Sequence, residues 1–177
     1  PTRDWKKEKL GNDWTLGDTL NLCIGQGFSL TTPLLLTRLI ATIANGGKIF
    51  TPQIMISENS RYYETGLDAS LFEYIRVPMY KVMNEPGGTG YYSRINVAGE
   101  KMAGKTGTAQ VQAKKDANDN LSRANIAWNR RNHAIFGGFA PFTSPKYAVC
   151  VYYDHGGGGG SAAAPIASHL MRIALEG

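Results

Sequence analysis

Cysteine is scarce. The 177 residues hold two, Cys23 and Cys150, far apart and in no C-x-x-C or zinc-ligand spacing. That excludes a disulfide-stapled scaffold and a zinc finger. One disulfide between them remains open in an oxidising compartment, and two unpaired core thiols are the reading we expect. Histidine is nearly as rare, and His133, His155 and His169 are scattered along the chain, so the sequence offers no metal centre. No apolar run approaches the ~18 residues that span a bilayer, and no secretory leader is visible. The first residue is Pro1 rather than Met, which suggests a piece of something longer. What is present is ordinary for one packed domain: 42% apolar and 19% charged residues, against global disorder or fibrous structure.

Charge is unevenly spread. Between Lys101 and Arg131, seven basic residues (Lys101, Lys105, Lys114, Lys115, Arg123, Arg130, Arg131) face only Asp116 and Asp119, which accounts for the whole net charge of +5. Such a stripe attracts anions. No aromatic interleaving or nucleic-acid motif accompanies it, so we read a solvated loop beside a site and expect no nucleic-acid partner.

The chain reads as α+β. Residues 1 to 30 are loop-rich, punctuated by Gly11, Gly17, Gly25 and Gly27. "TTPLLLTRLIATIANGG" predicts a helix, with Thr32 as cap, Pro33 at its first position and Gly46 or Gly47 ending it. Leu36, Leu39, Ile40 and Ile43 form its core stripe. Short extended pieces are expected at Lys48 to Phe50 and Gln53 to Ile56. A second helical pattern covers Ser70 to Asn84, with Leu71, Ile75, Met79, Val82 and Met83 as its apolar face. Pro78 inside it predicts a kink or two short helices. "NEPGGTG" forces a turn. Strands are predicted at Met102 to Ala113, in "HAIFGGFAPF", and in "YAVCVYYD", whose continuous apolar run suggests cover on both faces. The five glycines from Gly156 to Gly160 predict a flexible connector. Ser161 then caps a last helix whose Ile166, Leu170, Ile173 and Ala174 share the inner face. Short turns between strands imply antiparallel pairing, so we expect an antiparallel sheet of about three strands packed with helices.

One stretch reads as chemistry: "GEKMAGKTGTAQVQ", residues 99 to 112. On a strand, alternation places Thr106 and Thr108 on one side and Lys105 and Gly107 on the other. Two hydroxyls beside a cation suit a carboxylate. The Thr108 N–H can stabilise a developing oxyanion, and Gly107 removes a side chain where another element might approach. This layout serves acyl transfer but lacks a nucleophile. Asp154, His155 and Ser161 evoke a hydrolase triad, yet clustering in sequence is not triad geometry. The glycine run lacks the G-K-[ST] ending of a phosphate loop.

S-x-x-K, S-D-N and K-T-G together mark penicillin-binding proteins and class A β-lactamases. The chain resembles class B penicillin-binding proteins over nearly its full length. "IGQGFSLTTPLLLTRLIATIANGG" is similar to their loop and T-P-L helix, "AGKTGTAQV" to their third motif, and "HAIFGGFAPFTSPKYAVCVYYDHGGGGGSAAAPIA" to their last two strands and closing helix. The G-Q-G form and "AWNRRNHAIFGGFAP" are nearest the elongation branch, with the division branch a near second. No S-x-x-K occurs in these residues. "SEN" at Ser57 to Asn59 matches S-x-N formally but stands after the T-P-L helix, where the family does not place it. The resemblance therefore implies the C-terminal part (1–177) of one transpeptidase domain, a partial penicillin-binding or serine β-lactamase-like fold whose S-x-x-K and S-x-N half lies upstream.

The implied function is peptidoglycan D,D-transpeptidation through a serine acyl-enzyme, without cofactor, and β-lactam binding. A non-catalytic penicillin-fold binding or sensor module is the alternative. By resemblance Lys105 bonds the S-x-N serine and assists proton transfer, Thr106 and Thr108 hold the carboxylate of D-Ala-D-Ala or of a β-lactam, and Gly107 completes the motif. The parent is expected in the bacterial inner membrane, facing the periplasm and joined to elongation proteins. This chain by itself is expected to be soluble, inactive and prone to self-association, because an upstream strand would pair beside Val149 to Tyr153.

Overall fold

The computed structural model describes residues 1–55, 60–111 and 126–177. The "SEN" triplet, Ile56, the end of the first long strand (Gln112, Ala113) and most of the basic stripe (Lys114, Lys115, Asp116, Asp119, Arg123) lie outside them. Two compact units emerge, Pro1–Thr32 and Pro33–Gly177. Among the described residues no helix is long and apolar enough to cross a membrane.

The first unit is helical where we expected loops. α1 runs from Arg3 to Leu10 and α2 from Leu16 to Cys23. Thr2 caps α1 by accepting from the Trp5 N–H, and Gly11 closes it at φ 70°. Thr15 and Asp18 form a reciprocal capping box on α2. Each helix is only eight residues long, so periodicity is a weak signal and the caps carry the information. The Lys6 ammonium donates to Asp18 at 2.6 Å. That bond, with further bonds from the Thr15 N–H and hydroxyl, holds the Asp18 carboxyl down to about 2.

In the second unit α3 spans Pro33–Ala44, as predicted from Pro33 and the glycines. Ile40 is buried and Leu36 and Ile43 half-buried, but Leu39 is exposed. β1 (Lys48–Phe50) pairs antiparallel with β2 (Tyr62–Glu64), a strand the sequence reading missed, while Gln53 to Met55 form no strand. α4 runs unbroken from Ala69 to Asn84 through Pro78, so two separate helices do not form. β3 (Ala103–Ala109), β4 (His133–Ala140) and β5 (Tyr147–Tyr153) make an antiparallel sheet in the order β3-β4-β5. α5 covers Ala164–Glu176.

β4 is the central strand and separates two cores. Its Ala134, Phe136 and Ala140 pack with Met83, Ile95, Met102, Ala164, Ala167 and Met171. Phe139 packs on the other face with Ile40, Ala44, Met79 and Ala103. The sheet therefore lies between α5 on one side and α3 with α4 on the other. Cover on both faces is complete for β4 and partial for β5, whose Val149 and Val151 pack against the α5-side core and whose Ala148 packs against the other. Tyr147, Tyr152 and Tyr153 of β5 are exposed, because β5 has a paired strand on one side only among the described residues.

Two helices turn faces other than those predicted toward the core. α4 buries Phe72, Met79 and Met83, while Leu71 and Ile75 are exposed. Its stripe is displaced by one position because Arg76 belongs to it: the guanidinium lies 5.7 Å from the Phe139 ring centre and 5.3 Å from that of Phe142, and donates to the Phe142 carbonyl. α5 buries Ala164, Ala167, Ser168 and Met171, leaving Ile166, Leu170 and Ile173 exposed. Small residues face inward because the helix backbone comes close to the sheet, and the Ser168 hydroxyl is spent on the Ser93 carbonyl.

The glycine run is not a flexible connector. Gly159–Ala163 forms a π-helical turn that leads straight into α5. Ser161 lies inside this turn and donates to the Gly158 carbonyl at 3.2 Å, so it does not cap the helix. Neither cysteine is paired. Cys23 is exposed rather than in a core, and Cys150 is half-buried, which pushes its thiol up.

Candidate active site

β3 is an edge strand of the described sheet, and its alternation sorts the motif residues as the sequence predicts. Lys105 stands opposite Gly137 and Gly107 opposite Ile135, with Thr106 and Thr108 opposite Phe136 and Ala134. Phe136 and Ala134 belong to the core on the α5 side. Thr106 and Thr108 accordingly line a cavity of about 730 Å³ on that side, with Thr89, Tyr92, Gly158 to Ser161 and, from α5, Ser168, His169 and Arg172. Lys105 is not part of that lining. It is exposed, and its ammonium donates to the Thr106 carbonyl at 2.8 Å.

Three backbone segments meet at this strand. The Thr89 hydroxyl shares a hydrogen bond of 2.7 Å with that of Thr106. A Cβ at Gly159 would overlap the carbonyl oxygens of Gly107 and Ile135, and one at Gly160 would overlap the Thr89 carbonyl. The glycine turn is thus seated directly on β3 and β4, and on the "GGTG" loop before them, where only hydrogen can occupy the side-chain position. At Gly107 itself the nearest neighbour of an added Cβ is Ile135, at 3.3 Å. The element that crowds the motif backbone is the glycine turn.

The cavity can hold an anion. Two threonine hydroxyls lie along β3, while His169 and Arg172 present imidazole and guanidinium donors from α5. Sequence reasoning paired the hydroxyls with Lys105. The fold gives them Arg172 and His169 as neighbours in the cavity and turns Lys105 to the α3 face. Thr89 was legible only as part of a turn, and nothing local marks Arg172.

A second cluster joins His133 to Asp154 and His155, which the sequence reading weighs only as triad members beside Ser161. His133 and His155 are not scattered in space: their ring centres are 4.7 Å apart, with Asp154 between them. Asp154 and His155 do not act with Ser161, whose hydroxyl is bound to Gly158.

An antiparallel sheet between helical layers, with K-T-G-T on its edge strand, is matched at family level. Residues 3–172 match the penicillin binding protein transpeptidase domain, and the chain belongs to that family. It is 35% identical, over 97% of its length, to the peptidoglycan D,D-transpeptidase MrdA of Haemophilus influenzae. Its fold superposes with a TM-score of 0.79 at 30% identity on the penicillin-binding protein PBP2 of Helicobacter pylori, solved in complex with MreC, covering 99% of this chain and 30% of that one. Pseudomonas aeruginosa PBP2, solved in complex with WCK 5153, gives a TM-score of 0.72 at 28% identity, covering 99% and 36%. The chain spans 28% of the length of the H. influenzae relative.

Proposed function

We propose that this chain is the C-terminal part of a D,D-transpeptidase domain that cross-links peptidoglycan and is acylated by β-lactams. The observation that carries the reading is the K-T-G-T edge strand, with its two threonines lining a cavity and its lysine on the opposite face. In the reaction a serine attacks the penultimate D-Ala carbonyl of a stem peptide, the terminal D-Ala leaves, and the amine of a second stem peptide takes the acyl group. The serine and its lysine belong to an S-x-x-K segment that these residues do not contain.

The roles of the strand follow from its chemistry. Thr106 and Thr108 donate to the terminal carboxylate of the donor peptide. The Thr108 N–H is an oxyanion donor. Lys105, on the other face, reaches toward the S-x-N serine and eases proton transfer to the leaving amine. The parent acts at the periplasmic face of the inner membrane, within an elongation assembly that includes an MreC-like protein. The H. pylori PBP2 complex with MreC supports the partner.

The test uses the polypeptide that joins this chain to its S-x-x-K segment. Lys105→Ala should slow acylation by a fluorescent penicillin by roughly 10²- to 10³-fold, the usual cost of losing one preorganised donor. Near-normal acylation would sink the assignment. The 177 residues alone should form no acyl adduct in mass spectrometry, and a stable adduct would show a different nucleophile.

A further inference from the structure

We propose that His133, Asp154 and His155 form a binding site for a zinc-like divalent transition-metal ion, separate from the K-T-G strand chemistry. His133 opens β4, and Asp154 and His155 follow β5. Antiparallel pairing brings the ends of these two strands together. One donor atom from each residue lies within 4.8 Å of the other two. Asp154 Oδ1 is 2.6 Å from His133 Nδ1 and 3.9 Å from His155 Nε2. Ligands held at ordinary bond lengths on a tetrahedral zinc lie roughly 3.4 Å apart, so the His133–Asp154 gap must open by about 0.8 Å and the wider gaps close by about 0.5 to 1.4 Å, within reach of side-chain rotation.

The surroundings prepare the donors. His155 Nδ1 lies 2.9 Å from the Arg131 carbonyl oxygen, which can only accept. The proton therefore sits on Nδ1 and the Nε2 lone pair is free to ligate, an arrangement typical of metal-bound histidine. The Trp128 ring stacks edge-on at 4.4 Å and fixes the imidazole plane. At His133 the demands conflict. Nδ1 receives the His155 backbone N–H at 3.1 Å and also faces a carboxylate oxygen. Nδ1 has a single lone pair, so a proton or a metal ion held between it and the carboxylate takes that lone pair in place of the His155 N–H, which must then turn away. Two imidazoles and one carboxylate select zinc-like ions over magnesium and calcium, which prefer all-oxygen shells. Asp154 is half-exposed, which leaves a route in and a fourth position for water.

The consequence is mechanical. Gly156 and Gly157 follow directly, and the Gly157 N–H donates to the Asn132 carbonyl at 2.8 Å. A metal here clamps the end of the sheet to the root of the glycine turn that lines the 730 Å³ cavity.

Titration calorimetry of the chelator-treated chain with zinc chloride tests this. One equivalent should bind, and the melting temperature should rise with zinc concentration. His155→Asn, which keeps a residue tolerant of the positive φ of 51°, and Asp154→Asn should each weaken binding at least about tenfold. A cobalt-loaded sample should show visible tetrahedral bands without thiolate charge transfer. Independently of any variant, zinc should shift the imidazole resonances of His133 and His155 and leave His169 unmoved. Failure of the wild-type chain to bind zinc would mean that the occupant is a proton, and would overturn the proposal. So would affinity unchanged in both variants, a thiolate band, or zinc shifts confined to His169.

Discussion

Gly157 and Gly159 stand two positions apart in one turn and are glycines for different reasons. Gly157 has φ +86° with open space around it, whereas Gly159 is pressed against the backbone of Gly107 and Ile135. Gly157→Ala meets only the strain of a left-handed residue, about 1–2 kcal/mol. Gly159→Ala forces two backbones apart, and neither can yield as a flexible side chain would. It should cost more, roughly 3 kcal/mol, which lowers the melting temperature by roughly 6–12 °C at this size. It should also displace Thr106 and Thr108. Thermal unfolding of the two variants checks the order, and equal losses would show that the turn is not seated on β3. The glycine composition was plain in the sequence; the difference between these two positions needs the neighbouring strand.

At the scale of elements, α4 shows what a local pattern conceals. Its predicted stripe did not include Arg76, but the side chain lies against Phe139 and Phe142 and pulls the buried face round to Phe72, Met79 and Met83. Pro78 falls on the opposite, exposed side, next to the exposed Tyr74 whose carbonyl its missing N–H would have bonded. Solvent can take that carbonyl, so the helix continues. Pro78→Ala restores the hydrogen bond and relieves the ring, against a smaller loss from a freer unfolded chain. We expect a net gain of about 1–2 kcal/mol, seen as a rise in melting temperature of roughly 2–8 °C. A fall would mean that Pro78 makes contacts its exposure does not suggest.

At the scale of the whole molecule, apolar surface is left open. β5 has no second partner strand among the described residues, and its Tyr147, Tyr152 and Tyr153 are exposed. α5 adds Ile166, Leu170 and Ile173. An open edge flanked by apolar side chains invites another chain. The 177-residue chain should therefore show a molar mass that rises with concentration in light scattering. A strictly monomeric chain over a wide range would show that the edge is guarded.

The sequence by itself determined the three long helices, the three strands of the main sheet and the alternation that parts Lys105 from Thr106 and Thr108. Those depend on local periods and on turn residues, which the chain carries at each position. It missed α1 and α2, because at eight residues each their periodicity was too short to read and their caps, Thr2 and Thr15, went unread among loop residues. Only the tertiary structure decided which faces of α4 and α5 point inward: in α4 the Arg76 side chain lies on two aromatic rings and Phe72, Met79 and Met83 go in with it, and in α5 the short distance to the sheet selects alanine and serine over isoleucine and leucine. It alone decided that the glycine run is a fitted turn, since the close approach is made by strands far away in the chain. And it alone gathered His133, Asp154 and His155: the bond from the His155 N–H to the His133 ring spans 22 positions and exists only when β4 and β5 pair.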